Sequence, residues 1–256
     1  MNAILKYPGA KWRIANWIIE NMPEHHSYVE PFFGSGAVFF NKQPSNIETI
    51  NDLDEDVVNF FEVVRENTEK FAEMLYMTPY SRKVYEQSYE SEGSRLYRAW
   101  KFCVRINMSR GYRCNAVTGW KNDVQGRGRA YAAQVWSKMP DIVMQAAERL
   151  RGVQIERRTA LDIIKKFDHP KCLIYCDPPY LLSTRRGKQY NAEMSDREHE
   201  ELLHALLINK SKIMISGYES DLYNDALRNW KKKTRFNLTQ SLRKAKEVIW
   251  MNYDKE

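Results

Sequence analysis

The residues best suited to chemistry are Tyr175-Cys176-Asp177-Pro178-Pro179-Tyr180. Two successive prolines fix φ near −65° and remove two backbone donors. The local carbonyls are left aimed outward, with a carboxylate before them and an aromatic ring after them. This is a rigid cluster of hydrogen-bond acceptors beside a stacking plate. It follows an apolar run that reads as a strand, and ligands of open α/β sheets bind at the carboxyl ends of strands. A second candidate is Glu30-Pro31-Phe32-Phe33-Gly34-Ser35-Gly36. Here a short buried strand runs into a glycine turn and then into residues able to start a helix, a topology that suits phosphates and cofactors. Taken singly these are weak signals, since Gly-x-Gly is most often an ordinary tight turn and Asp-Pro-Pro-Tyr can be a surface turn.

The elements that must position these residues follow from periodicity. Ile14, Trp17 and Ile18 predict a helix over 12–21, ended by Pro23. Strands are expected at 29–33 and 47–50, with a helix starting at 37–41 between them. Residues 55–77 and 96–108 carry apolar residues at helical spacing. Strands return at 153–155, 173–176 and 212–216, separated by helices at 160–166 and 196–209, the latter capped by Ser195 or Asp196. Strands alternating with helices imply a mainly parallel sheet covered on both faces, interrupted by a helical, basic middle. The tail, 235–238 and 248–253, predicts an antiparallel edge hairpin.

At 256 residues, with 43% hydrophobic and 12% aromatic residues, the chain is one sizeable domain or a domain carrying an insert. That composition excludes disorder, and 11 Gly with 9 Pro exclude collagen-like repeats. No membrane span is expected, because the longest uninterrupted apolar run is the five residues from Cys172 to Cys176. The first residues lack the apolar stretch of a secretory signal. Cys103, Cys114, Cys172 and Cys176 form no CxxC pair, and no histidine stands at zinc spacing, so reduced, mostly buried thiols and no metal are expected. The five histidines receive no role.

The net charge of +7 is unevenly placed. Residues 81–135 hold eleven Lys and Arg against four acids, a surplus equal to that of the whole chain, and residues 228–246 hold eight bases and no acid. Short runs such as Lys231-Lys232-Lys233 usually keep a surface wet. The longer segment interleaves Arg with Gly, Tyr and Asn, which suits a shaped loop against a phosphate backbone and base edges.

Asp-Pro-Pro-Tyr after a strand resembles the amino-group DNA methyltransferases that use S-adenosyl-L-methionine (AdoMet). Glu30 to Gly36 is similar to their glycine-turn cofactor motif, and Lys6-Tyr7-Pro8-Gly9-Ala10-Lys11 to their N-terminal motif. The order of motifs is that of the Dam-type DNA adenine N6-methyltransferases. The resemblance implies an α/β, Rossmann-like catalytic domain (1–56 and 141–256) with an inserted, mainly helical DNA target-recognition domain (57–140). It implies methyl transfer from AdoMet, leaving S-adenosyl-L-homocysteine, to the N6 amine of an adenine flipped out of double-stranded DNA.

Under that resemblance Asp177 and the carbonyl of Pro178 hold the hydrogens of the exocyclic amine, whose lone pair is otherwise delocalised into the ring. Pro179 stiffens the turn, and Tyr180 stacks on the flipped base. Gly34 and Gly36 let the backbone approach the cofactor, Phe32 packs on it, and Asp52 meets the ribose hydroxyls as in other nucleoside-binding sheets. Tyr7 and Lys11 complete the cofactor pocket, Lys11 near the methionine carboxylate. Arg110, Tyr112, Arg113, Asn115, Lys121, Arg127 and Arg129 are the expected DNA contacts. Their loop matches only partly the Arg-Tyr-Gly-Tyr-Asn-Gly pattern of GATC-reading relatives, so no target sequence is implied. Thr184-Arg185-Arg186-Gly187-Lys188 is either a DNA clamp or an ordinary exposed loop. A cytoplasmic, prokaryotic or phage-encoded enzyme is expected, monomeric in solution and binding DNA in one or more copies. The rival readings are the same chemistry on the N4 amine of cytosine, a catalytically silent DNA-binding module of this fold, and methylation of RNA or protein.

Overall fold

A computed structural model describes the chain apart from residues 91–92, 112–113, 115, 125–130, 186, 239–243 and 255–256; of 237–238 and 244–245 it describes the backbone alone. In chain order the elements are α1 (Ala15–Glu20), β1 (Ser27–Glu30), β2 (Ile47–Asn51), α2 (Glu55–Glu66), α3 (Thr68–Tyr76), α4 (Arg82–Gln87), α5 (Arg95–Met108), α6 (Ala132–Trp136), α7 (Met139–Arg149), β3 (Gln154–Glu156), α8 (Ala160–Lys166), β4 (Cys172–Cys176), α9 (Asp196–Ile208), β5 (Lys212–Gly217), α10 (Asp221–Ala226), β6 (Lys231–Leu238) and β7 (Lys244–Met251). They fall into two compact units. A helical unit comprises Met1–Ala10, Asp54–Arg151 and Gln189–Asn191, and a sheet unit comprises Lys11–Leu53, Gly152–Lys188 and Ala192–Glu256.

In the sheet unit the described strands form one sheet in the order β3-β2-β1-β4-β5-β7-β6. β1 to β5 pair in parallel, and β7 runs antiparallel to both β5 and β6. This is the expected Rossmann-like α/β sheet. The strand order reverses direction between β1 and β4, the place where such sheets bind ligands. β4 is buried at every position, as a central parallel strand covered on both faces requires. Period two sorts its residues. Cys172, Ile174 and Cys176 join Val29, Ile213, Ile215, Val248 and Trp250 in a core completed by Ile163, Ile164, Leu202, Leu203, Leu206 and Tyr223 from the helices. Tyr175, between them, points to the other face. The two β4 cysteines are thus core thiols.

The helical unit is built on edge-to-face aromatic packing. Phe60 meets Phe61, Phe71 and Phe102 with ring centroids 5.0, 5.8 and 6.0 Å apart. Thr78 satisfies two buried indoles, taking Trp100 Nε1–H on its hydroxyl and Trp136 Nε1–H on its carbonyl, both at 2.8 Å. Bases of α5 meet acids of α2: Arg98 with Glu55 (3.0 Å), Arg105 with Asp56 (3.0 Å) and Arg95 with Glu62 and Glu66. Part of the surplus charge of 81–135 is therefore neutralised inside this unit.

Several expected elements differ. No helix forms at 37–41; Phe40 N–H bonds to Gly36 O, and the N–H groups of Asn41 and Lys42 both bond to Val38 O, making turns instead. Ala37, Val38, Phe39 and Phe40 are all buried, which a one-sided helix stripe does not achieve. The helix over 12–21 shortens to α1, because residues 11–14 form a turn closed by Ile14 N–H on Lys11 O. The stretch 55–77 divides at Asn67 into α2 and α3. Ser195 is the N-cap of α9, in a reciprocal capping box with Glu198. The terminal hairpin is longer than expected, with β6 at the edge and β7 inside the sheet. Among the described residues no helix is long and apolar enough to cross a membrane.

Candidate active site

In the sheet unit β1 ends at Glu30 and leads into Pro31-Phe32-Phe33-Gly34-Ser35-Gly36. Gly34 and Gly36 have φ of +50° and +63°, the left-handed region that glycine enters without strain. A Cβ at Gly36 would also stand 2.4 Å from Phe33 Cζ, so glycine is demanded twice there. The turn is fastened to the end of β2. Gly34 N–H donates to Asp52 Oδ2 at 2.7 Å. Asn51 Nδ2 donates to the carbonyls of Pro31 (2.9 Å) and Arg158 (3.1 Å), and its Oδ1 accepts from Arg158 N–H (2.9 Å). One amide thus ties together the chain after β1, β2 and β3. Ser35 Oγ accepts from Trp12 Nε1–H at 3.2 Å. Phe32 is half-buried against the sheet core.

β4 delivers Asp177-Pro178-Pro179-Tyr180 beside that turn, at the reversal of strand order. Lys11 Nζ lies 2.9 Å from Asp177 Oδ1 and 4.7 Å from the centroid of Tyr180. Ser216, on β5, donates from Oγ to the same Asp177 Oδ1 at 2.7 Å and pairs with the Tyr175 hydroxyl at 3.1 Å. The parallel register explains this meeting, since Cys176 pairs with Ile215 and the next residue of each strand continues past it. Tyr180 OH donates to Glu247 Oε2 at 2.8 Å, and its ring stands edge-on to Tyr218 at 4.6 Å. Among the described residues both bonds to Asp177 fall on Oδ1.

Burial shapes the titration of this cluster. It pushes the Tyr180 hydroxyl well above its ordinary value, reinforced by the carboxylates of Glu247 and Asp177. Burial also raises Glu247, against the pull of the Lys11 ammonium. For Lys11 burial works downward, but the charges of Asp177 and Glu247 overcome it and leave the ammonium favoured. Deeper in the same unit Glu30, bonded to Tyr28 OH at 2.6 Å, is pushed up to about 8 by burial.

The helical unit holds the remaining expected residues. Tyr7 is buried, its hydroxyl donating to Asp54 Oδ2 at 3.4 Å. Asp54 also takes Asn191 Nδ2 on Oδ2 (2.9 Å) and, as N-cap of α2, Asp56 N–H on Oδ1 (3.0 Å). At Gly9 a Cβ would stand 2.3 Å from Tyr190 OH. Arg110 is exposed at the base of a loop in which Ser109 bridges Trp120, with Arg110 N–H on Gly119 O and Lys121 N–H on Met108 O. Its guanidinium rests on Asn122 Oδ1 at 3.1 Å. Lys121 is half-buried, its carbonyl taken by Tyr80 OH. Tyr112, Arg113, Asn115, Arg127 and Arg129 lie outside the described residues, as does Arg186.

Comparison with known proteins decides the family. Residues 7–244 match the model of the D12 class of N6 adenine-specific DNA methyltransferases. The chain belongs to this family, and methylation of adenine in DNA is its activity. It is similar to the DNA adenine methylase of Escherichia coli K12, with 21% identity over 93% of this chain and 87% of that protein. The DNA adenine methylase of Salmonella typhi is 23% identical over 86% and 82%. The type II methyltransferase M1.LlaDCHI of Lactococcus lactis is 26% identical over 97% and 94%.

Beside the residues of this methyltransferase that motifs single out, the site holds Ser216, Tyr218 and Glu247, which sequence reasoning missed. Ser216 had a signal, a hydroxyl at the carboxyl end of an apolar strand. So did Glu247, a lone acid between a basic block and Val248-Ile249-Trp250. Lys11 was expected near a cofactor carboxylate, and here its ammonium meets that of Asp177. Among the described residues no group of three or more His, Cys, Asp or Glu is arranged to hold a metal.

Proposed function

We propose that the sheet unit binds AdoMet at the glycine turn and methylates N6 of an adenine flipped out of double-stranded DNA, held by Asp177-Pro178-Pro179-Tyr180. The observation that carries this reading is the one-sided engagement of Asp177. Lys11 and Ser216 both bind Oδ1, which leaves Oδ2 and the Pro178 carbonyl as the acceptors for the two hydrogens of the amine. Held between two acceptors, the amine nitrogen loses conjugation with the ring and its lone pair becomes available for attack.

Tyr180 supplies the stacking surface, with its hydroxyl anchored by Glu247 and its ring by Tyr218. Its plane is thereby fixed before a base arrives, the kind of preorganisation that lowers a barrier by orientation. The cofactor, when bound, supplies an electrophilic methyl on a sulfonium. The residues present suit it: positive-φ glycines give close backbone approach, Asp52 suits ribose hydroxyls, and Phe32 offers an apolar wall. Tyr7 is assigned to the cofactor by resemblance. In this reading 57–140 performs target recognition, with Arg110 and Lys121 among its DNA contacts, and the protein works in the cytoplasm of a bacterium or on behalf of its virus.

The deciding test is transfer of labelled methyl from AdoMet to unmethylated duplex DNA of mixed sequence, followed by digestion to nucleosides and mass spectrometry. Label in N6-methyladenosine is expected. Label in cytosine, or none while AdoMet binds, would sink the proposal.

A further inference from the structure

The two faces of the β6–β7 hairpin treat their cations differently. β6 is the outer strand of the sheet, and residues 231–236 are all exposed. On one face, the face of Trp250, Lys232 and Lys246 both pair with Glu219 at 2.5 and 2.8 Å. Their charge is answered, and Lys232 also lies over the Trp250 ring. On the other face stand Lys233 and Arg235, opposite Ile249 and Glu247 in the ladder. Among the described residues neither has an acidic partner; Lys233 Nζ rests on the neutral amide of Asn21 at 2.6 Å. Lys231, on the same face, has one exposed partner, Asp254.

This second face is that of the candidate active site. Ser216 pairs with Ile249 across β5 and β7, and Glu247, two residues along, holds Tyr180. Arg235 pairs with Glu247, and paired residues of an antiparallel ladder have Cα atoms about 4.5–5.5 Å apart. Glu247 itself is buried and turned to Tyr180 and the charge of Lys11. Arg235 is therefore one ladder step from the residue anchoring the base-stacking ring, with its charge uncommitted.

We propose that Lys233 and Arg235 on the edge strand β6 form a phosphate track that holds the DNA backbone beside the flipped nucleotide, separate from the recognition loop. The inference rests on the function proposed above. A base stacked on Tyr180 carries its sugar and phosphates with it, and among the described residues of β6 the cations at and next to the Glu247 rung on that face are Arg235 and Lys233. Phosphate contacts position DNA without reading sequence. The competing account is that edge-strand cations serve only to prevent strand-to-strand aggregation.

Salt dependence separates the two. Each phosphate neutralised contributes about −0.9 to the slope of log K against log salt. The double variant Lys233→Ala/Arg235→Ala should flatten that slope by about 1.8 on a duplex that the protein methylates, where a nucleotide is flipped, and leave AdoMet affinity unchanged. Lys232→Ala, whose charge is taken by Glu219, should leave the slope close to that of the wild type. An unchanged slope in the double variant overturns the track. Failure of the wild-type protein to transfer labelled methyl to DNA adenine would overturn the proposed function instead, a result the salt slope does not share. Both residues are exposed, and circular dichroism with melting of the double variant guards against a folding defect.

Discussion

The cluster around Asp177 and the loop base around Arg110 both carry expected functional residues, but they are built oppositely. At Asp177 each neighbour is itself held. Lys11 pairs with Asp177 and is favoured as an ammonium by the charge of Glu247, Ser216 stands between Asp177 and Tyr175, and Tyr180 between Glu247 and Tyr218. At Arg110 the backbone is fastened, by the Ser109–Trp120 bridge and the bonds beside it, while the guanidinium is exposed and touches one asparagine. Chemistry needs atoms placed before the substrate arrives, so it is preorganised by burial. On the proposed roles, a recognition residue such as Arg110 must meet a partner's surface, so it stays outside and takes its final geometry from DNA.

The largest effect is expected at Asp177. Asp177→Ala should lower the rate of methyl transfer by about 10³-fold, the scale of removing an acid–base or electrostatic group from a reacting centre. DNA affinity should stay within a few-fold. Labelled-methyl incorporation beside a DNA titration reads both, and retained activity on short oligonucleotides with DNA binding lost would reverse the assignment.

Burial also makes the sheet unit sensitive to pH. Glu30 ionises near 8 in the folded chain against 4.5 as a free side chain. Between those values the unfolded chain releases a proton that the folded chain keeps, so stability falls as pH rises. The slope approaches about 1.4 kcal/mol per pH unit in the middle of that window. Glu30→Gln removes the proton and keeps an acceptor for Tyr28, so its melting temperature should decline less between pH 5 and 8 than that of the wild type. Equal decline in both proteins would show that Glu30 is not the group responsible.

Ser216→Ala tests the one-sided binding of Asp177. A hydrogen bond to a charged group contributes about 1.5–3 kcal/mol, so the loss in kcat should be roughly 10- to 100-fold with KM for AdoMet little changed. Ser216→Thr, which keeps the hydroxyl, should recover part of the rate. If both variants lose the same amount, Ser216 is a packing residue only.

Much of the sheet unit was legible because central strands are written in unmistakable letters. Cys172-Leu-Ile-Tyr-Cys176 is buried on both faces and so reads as an unbroken apolar run, and the paired prolines after it mark the chemistry. Lys11 was legible as a candidate residue but not in its partner, because Asp177 arrives from 166 residues away in sequence. Segment 37–41 misled for a local reason: its four buried residues are consecutive, so turns serve them better than a helix. Asp54 escaped notice since an acid before a helix reads as an N-cap. It is one, and it also receives Tyr7 and Asn191, which no spacing rule connects.

The smallest effect is expected at Arg110, whose side chain is least committed within the fold. Arg110→Ala removes a side chain that is exposed and holds one asparagine, so folding and AdoMet affinity should be unaffected. If the guanidinium reads a guanine, the loss is about 1–3 kcal/mol against that sequence and almost nothing against others, which shows as relaxed preference when methylated sites are mapped by sequencing. If it holds phosphate, affinity weakens alike for all duplexes and the salt slope flattens by about 0.9. An unchanged preference together with an unchanged slope would move recognition away from this loop base and remove the contrast with Asp177.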